Sequence, residues 1–295
     1  MSLMIFALTI GIIYSLIALS SVFSFRILGF PDMTPDGSFL IGASLGGIVL
    51  LNSESIILSL ICAFSIGAAF GALTAVLHNF LRISKLLSGI LVMTMLYSIS
   101  LRIMSTSNLS LINSVTIWDS KYSEFSQYAN LGIAILITGV IFFVLYLFLK
   151  TNIGLKIRAL GDSEDTAKKI NLNVKRYNII GLSLSNGIAG LSGGIISQYQ
   201  GFVDISMGTG LVITSLAAVI IGEIIFKPKN VLVLLICSIV GMVIYQGIIT
   251  MALRFGLPST DMKIATVALT IVFISIEKFR KKTYTADRQI GNRNI

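Results

Sequence analysis

The chain has 295 residues, of which 55% are hydrophobic and 12% charged, with a mean hydropathy of +0.92. So little polar surface cannot cover a soluble globule of this size, which excludes a water-soluble domain and makes lipid the solvent. The formal net charge of +9 would suit nucleic acid, but the basic residues fall in gaps between apolar runs and form no patch interleaved with aromatics, so charge here is a topology signal.

Apolar runs recur along the whole chain, each near the roughly 20 residues a helix needs to cross a hydrocarbon core. The fold class is therefore all-α, a polytopic transmembrane bundle. Strands of a barrel would alternate and would not be apolar on both faces. In chain order the runs predict about nine helices, with eight to ten admissible: 2–25, 37–51, 56–77, 87–107, 131–149, 177–199, 209–226, 231–252 and 262–277. Met1 to Val22 has no basic lead and no small-residue cleavage site, so it reads as the first span and not as a removed signal.

After it, Pro31, Pro35 and Gly37 break helix in a mostly apolar neighbourhood. Asp32, Thr34, Asp36 and Ser38 fall in or beside this break, which is either a cytoplasmic turn with solvated acids or a break at membrane depth. In the second case the acids face a pathway, a partner or an interface, because a carboxylate inside a bilayer is costly. Arg102, inside the fourth run, either pairs with one of these acids or snorkels outward, and snorkelling is favoured.

The gaps at Arg82 and Lys85, at Lys150 to Arg176, at Lys227 and Lys229, and at Lys278 to Arg293 hold every basic residue except Arg26, Arg102, Lys121, Arg254 and Lys263. The positive-inside rule makes those gaps cytoplasmic. The other gaps, 52–55, 108–130, 201–208 and 253–261, alternate with them as successive crossings require. The C-terminus then lies inside and the N-terminus outside. Trp118, Tyr122 and Tyr128 in the long outer gap suit interfacial anchoring. A membrane domain over 1–277, including the loop 150–176, is followed by a basic tail at 278–295.

Pairs of small residues four apart, Gly42 and Gly46, Gly67 and Gly71, and Gly190 and Gly194, mark faces where helices approach closely. The sixth helix is also unusually polar, and Asn186 and Gln198 make it a candidate pore liner. Glu223 is expected to pair with Lys227. Cys62 and Cys237 sit inside apolar runs and allow no disulfide framework or metal site. His78, the sole histidine, lies at a helix end. No H-E-x-x-H, G-x-S-x-G or phosphate-loop motif is present, so no metal, catalytic residue or ATP site is expected on this chain.

The loop 150–176 contains the grammar of a short helix. Asp162 is placed to cap it, Glu164 and Asp165 fall in its first turn, Lys168 and Lys169 in its last, and Asn171 where a left-handed residue ends a helix. Such a helix would protrude from the membrane, shaped to dock into a partner's groove.

The string G-L-K-I-R-A-L-G-D over 154–162, then Ala167 and I-N-L-N over 170–173, resembles the cytoplasmic signature of permeases of the branched-chain amino acid and ribose importer family. Gly154, Arg158, Ala159, Gly161 and Ala167 match, and Asn171 replaces a usual Gly. The stretch L-G-F-P-D-M-T-P-D-G-S-F over 28–39, with Asp261 to Ile264, is similar to a subgroup linked with aromatic amino acid binding proteins; Gly29 stands where that subgroup has Asn. The resemblance implies an ATP-driven importer in which Arg158, Gly161, Asp162, Glu164, Ala167, Lys168, Lys169 and Asn171 form the seat for a cytoplasmic ATP-binding subunit. That subunit would use the ATP and Mg, with no cofactor on this chain. The resemblance further implies an extracytoplasmic solute-binding protein, a second permease copy as homodimer partner, and a bacterial inner membrane location. An amino acid is the implied substrate, an aromatic one by the subgroup resemblance, with sugars, nucleosides and vitamins open. An ion-coupled secondary transporter using Asp32 is the rival reading, and a membrane enzyme the third.

Overall fold

The computed structural model describes residues 2–112, 114–118, 126–256, 258, 261, 264–273 and 275. The expectations for Tyr122, Met262, Lys263 and the tail 278–295 lie outside these residues. Helix α1 (Ser2–Val22) runs into a π turn (Phe23–Ile27). It is followed by α2 (Thr34–Ser53), α3 (Ile56–Leu81), α4 (Lys85–Met104), β1 (Asn108–Ser110), α5 (Ser126–Lys150), α6 (Asn152–Asp162) and α7 (Glu164–Lys169). Then come α8 (Val174–Gln200), β2 (Phe202–Asp204), α9 (Leu211–Phe226) and α10 (Val231–Arg254). A last apolar helix, α11, covers Ile264–Phe273.

Among the described residues, seven helices are long and apolar enough to cross a bilayer: α1 with its π turn, α2, α3, α4, α5, α8 and α10. The shorter apolar α9 and α11 complete the expected nine. Their ends follow local chemistry. Ser55, Ser84 and Asn173 accept backbone N–H groups from the first turns of α3, α4 and α8. Left-handed residues Glu54, Arg82, Ser105 and Gly201 end α2, α3, α4 and α8.

The bundle is organised around α8, which is buried along most of its length between α2, α3 and α1. The glycine pairs are what let it sit there. A Cβ on Gly42 would strike the backbone of Gly190, one on Gly67 the Asn186 carbonyl, one on Gly71 the Leu182 carbonyl, and one on Gly190 the Ala63 carbonyl. Gly46 and Gly194 have more room, at 3.3 Å from Ser59 Oγ and 3.0 Å from the Ala63 Cβ. Close backbone approach replaces side-chain interdigitation at this three-helix junction. A second such crossing, Gly222 against Cys237 and Gly241 against Ala218, joins α9 to α10.

The two ends of the bundle differ in character. At the basic end Asn79 Nδ2 donates to the Lys175 carbonyl, Lys85 pairs with Glu164 at 3.2 Å, and Arg26 pairs with Glu223 at 2.6 Å. The ion pair of Glu223 is thus with Arg26, replacing the expected one with Lys227, which takes the left-handed position that ends α9. At the opposite end β1 and β2 form an antiparallel ribbon with Leu109 beside Val203. Trp118 is buried there edge-on to Tyr199, so it anchors the bundle internally and does not sit at an interface as expected, whereas Tyr128 is exposed.

Three further expectations are corrected. The second span begins at Thr34, not Gly37, because Pro35 is tolerated in a first turn. The loop 150–176 holds two helices, and Asp162 closes α6 instead of capping the next one. The cap of α7 is Ser163, whose hydroxyl accepts the Thr166 N–H at 3.2 Å. Finally, the gap 201–208 is not wholly an end loop. Val203 packs near Gly47, and Gly208 packs against Leu40 and the Asp36 carbonyl, so residues 203–210 run back along α2 and α9 starts deep in the bundle.

Candidate functional site

Two interruptions of helix, 28–33 and 205–210, meet in the interior, and buried side chains satisfy the backbone groups they expose. Asp32 is fully buried. Its Oδ1 accepts the Thr34 N–H at 2.9 Å, which caps α2, and its Oδ2 accepts from Asn186 Nδ2 at 2.7 Å. The Asn186 side-chain oxygen Oδ1 accepts from the Ser38 hydroxyl at 2.8 Å, and the Thr34 hydroxyl lies 2.8 Å from that of Thr74. Asp36, one turn along α2, turns the other way: its two oxygens accept the N–H groups of Gly210 at 2.9 Å and Val212 at 2.7 Å. A helix start leaves N–H groups without intrahelical partners, and α9 has no side-chain cap of its own, so the Asp36 carboxylate fills that role from another helix. Gly37 packs on Met93 and Leu96, near the middle of α4, whereas Asp32 and Met33 lie beside Gly89, in the second turn of that helix from its basic end.

The acids of the break are thus buried and not solvated, and the break itself adjoins the basic end of the bundle. Asp32, Thr34, Ser38 and Asn186 form one network and Asp36 adjoins it. Gln198 stands apart near the opposite end, where its Oε1 accepts the Ile117 N–H at 3.3 Å and its Nε2 lies 3.4 Å from Ser59 Oγ. Arg102 is exposed in the last turn of α4, far from these acids, as snorkelling requires.

At the basic end the break is gripped from the other side. Gly29 adopts φ +66, a left-handed conformation that suits glycine, and a Cβ on it would lie 3.0 Å from the Gly161 carbonyl. A Cβ on Gly161 would strike the Ile27 carbonyl. Lys85 bridges the contact, its Nζ 3.4 Å from the Gly29 carbonyl and 3.2 Å from Glu164 Oε2, while Lys168 Nζ holds Glu164 Oε1 at 2.9 Å. The Lys168 ammonium, and after it that of Lys85, holds the Glu164 carboxyl below the usual glutamate range. Ala167 is buried beneath α7, and Asn171 has φ 55, the left-handed residue expected there. Lys168 and Lys169 point outward, and Arg158 lies half-buried on the flank of α6.

Sequence reasoning missed Lys85, Gly29 and Arg26 as members of this collar, and Thr74 of the buried network. Only Gly29 carried a signal, as a glycine directly before a break. His78 Nδ1 is 2.7 Å from the Ile83 carbonyl, with its ring against Phe30. Among the described residues no cluster of His, Cys, Asp and Glu could hold a metal.

The chain can be placed among known proteins. A tyrosine transport system permease protein of Clostridioides difficile is 37% identical over 275 residues, covering 93% of this chain and 91% of that protein. An uncharacterized protein of Rickettsia prowazekii is 30% identical over 286 residues, 96% of this chain and 99% of its own length. A nucleoside ABC transporter permease of Lactococcus lactis is 25% identical over 182 residues, 56% of each chain. No solved structure matches. The profile of the branched-chain amino acid transport system permease component matches residues 3–276. With nearly the whole chain covered, this multi-pass membrane protein belongs to that permease family.

Proposed function

We propose that the chain forms, with a second copy of itself, the membrane path of an importer powered by a separate ATP-binding subunit, and that the cargo is an aromatic amino acid such as tyrosine. The observation that carries this reading is the collar at the basic end. Helix α6, leading to the protruding α7, packs backbone to backbone on the break from which α2 starts, through Gly161, Ile27 and Gly29. A push on α7 is delivered within three residues to Asp32 and, one turn later, to Asp36.

In this reading Glu164, Lys168 and Lys169 contact the ATPase, while Gly161, Asp162, Ala167 and Asn171 shape and seat the two helices. Asp32, Thr34, Asp36, Ser38 and Asn186 form the hinge of the gate, and Gln198 steadies the opposite mouth. The excess of Lys and Arg at the basic end supports a cytoplasmic location for that end and for the C-terminus in a bacterial cell, with the N-terminus outside. A solute-binding protein then docks at the end carrying the β1–β2 ribbon. ATP and Mg belong to the ATPase, and this chain is a transport subunit, not an enzyme. The tyrosine permease of C. difficile supports the cargo, because its similarity covers both chains almost completely.

Buried carboxylates at broken helices also favour a second reading, an ion-coupled transporter. Reconstitution into liposomes with the cognate ATPase and binding protein separates the two. Uptake of labelled tyrosine that needs internal ATP, and that is lost in a Lys168→Glu, Lys169→Glu double variant which still inserts, supports the importer. Uptake driven by an imposed proton or sodium gradient without any ATPase supports the rival.

A further inference from the structure

At the basic end, two adjoining cavities open beside α6 and the start of α10, one of about 310 Å3 towards the π turn and α9 and one of about 410 Å3 towards α5. Arg158, Lys229, Asn230 and Val231 line both. The first adds Arg26, Asp162 and Glu223, and the second adds Tyr146, Leu149, Lys150 and Leu232. We propose that this double cavity binds the phosphate of an anionic phospholipid, with an acyl chain lying in the groove between α5 and α10.

The charges are unbalanced in favour of an anion. Among the described residues the ion pairs are Arg26 with Glu223, and Lys85 and Lys168 with Glu164. Arg26 and Glu223 thus offset each other, whereas Arg158, Lys150 and Lys229 have no carboxylate partner among the described residues. Asp162, one turn along the same helix, also lines the first cavity and makes no ion pair with Arg158, so three cations stand against this one remaining carboxylate. The stretch 276–295 is itself rich in Lys and Arg, so it is poorly suited to neutralise them. Helix α10 begins at Asn230 without a side-chain cap, so the positive end of its dipole faces the same space. A planar guanidinium, two ammonium groups and a helix start together suit a phosphate oxygen set.

Lipid is favoured over a free anion because the second cavity has an apolar wall and lies at a helix end, the level of a headgroup. Helix α5 continues away from it with Leu147 and Phe143 exposed, a surface for acyl chains. Lys150 lies over the Tyr146 ring at 4.5 Å, an arrangement suited to an interfacial belt.

The test uses the full chain in nanodiscs of phosphatidylcholine, into which phosphatidylglycerol is titrated while the melting temperature and the lipids retained on native mass spectrometry are read. Wild type should melt higher with phosphatidylglycerol and retain it selectively. Lys229→Gln and Lys150→Gln should each weaken retention about fivefold, as expected for removal of one interfacial cation. Lys175→Gln, an equal charge change outside the cavity, should leave retention unaltered. The proposal is overturned if inorganic phosphate or glycerol 3-phosphate reproduces the whole shift, which makes the ligand a free anion. It is equally overturned if Lys175→Gln matches Lys229→Gln, or if Lys229→Gln releases the ATPase without altering lipid retention, which makes the surface a protein contact.

Discussion

Asp32 and Asn186, separated by 154 positions in sequence, meet side chain to side chain at 2.7 Å. The contact ties the start of α2 to the middle of α8, and α8 is the element around which the other helices pack. Both residues are fully buried, so each is the other's substitute for water. Asp32→Ala should leave unpaired the Thr34 N–H and one of the two Asn186 amide N–H groups, the other being held by the Leu182 carbonyl at 3.0 Å, at about 1–3 kcal/mol for each buried group. A double-mutant cycle with Asn186→Ala, read by thermal unfolding in detergent, should give a coupling energy between about 0.5 and 3 kcal/mol. Additive losses would remove the pair from the account.

Asp36→Asn keeps one carbonyl oxygen and should retain one of the two N–H bonds to α9. Asp36→Ala keeps neither and should destabilise more, by about 1–3 kcal/mol relative to Asn. Hydrogen exchange at Gly210 and Val212 is the direct readout, with faster exchange in Ala than in Asn. Equal exchange in wild type and Ala would mean that α9 is capped by something else.

Glycines differ in what surrounds them, and the difference is testable with one substitution type. Gly42→Ala forces apart α2 and α8 at Gly190 and should cost about 1–3 kcal/mol through overpacking. Gly132→Ala and Gly139→Ala in α5 meet nothing within 4 Å and should be neutral, or stabilise by up to about 1 kcal/mol through helix propensity. Melting temperatures of the three variants side by side decide the matter.

Lys85 joins α7 to the break, so its removal should uncouple before it unfolds. Lys85→Gln is expected to keep ATPase binding while lowering transport per ATP hydrolysed, measured in the same liposomes. Retained transport efficiency would exclude Lys85 from the linkage.

The Glu164 carboxyl titrates below its ordinary value of 4.5 because Lys168 and Lys85 favour its charged form. A carboxyl whose folded value is depressed stabilises the fold above the unfolded value, and that contribution fades as pH falls through the folded value. Seating of α7 should thus be independent of pH near neutrality and loosen only below about 4.5. Exchange rates across 163–170 should show this acid limb in wild type and lose it in Glu164→Gln.

How far the sequence revealed these features follows from what each depends on. The spans were readable because lipid leaves a helix no partner but itself, so apolar length alone marks them. Helix α6 does carry a helical signal, with Gly154, Ile157 and Leu160 spaced three apart on its buried face, but its 11 residues read as the approach to a single helix. Asp162 and Ser163 are both capping types standing side by side, and only the extended backbone at Ser163, φ −163, decides which one caps. The pairing of Glu223 with Lys227 was a local expectation overruled by a distant partner, Arg26. Nothing in residues 28–39 announces that Asp36 will serve a helix 174 positions downstream.

That last relationship bears on how the protein is made. Synthesis proceeds from the N-terminus, so Asp36 enters the membrane long before Gly210 and Val212 exist. Until then its carboxylate has no native acceptor role, and the first hairpin cannot settle in its final form. The start of α2 must wait, held by the insertion machinery or by water, for a turn that is translated 174 positions later.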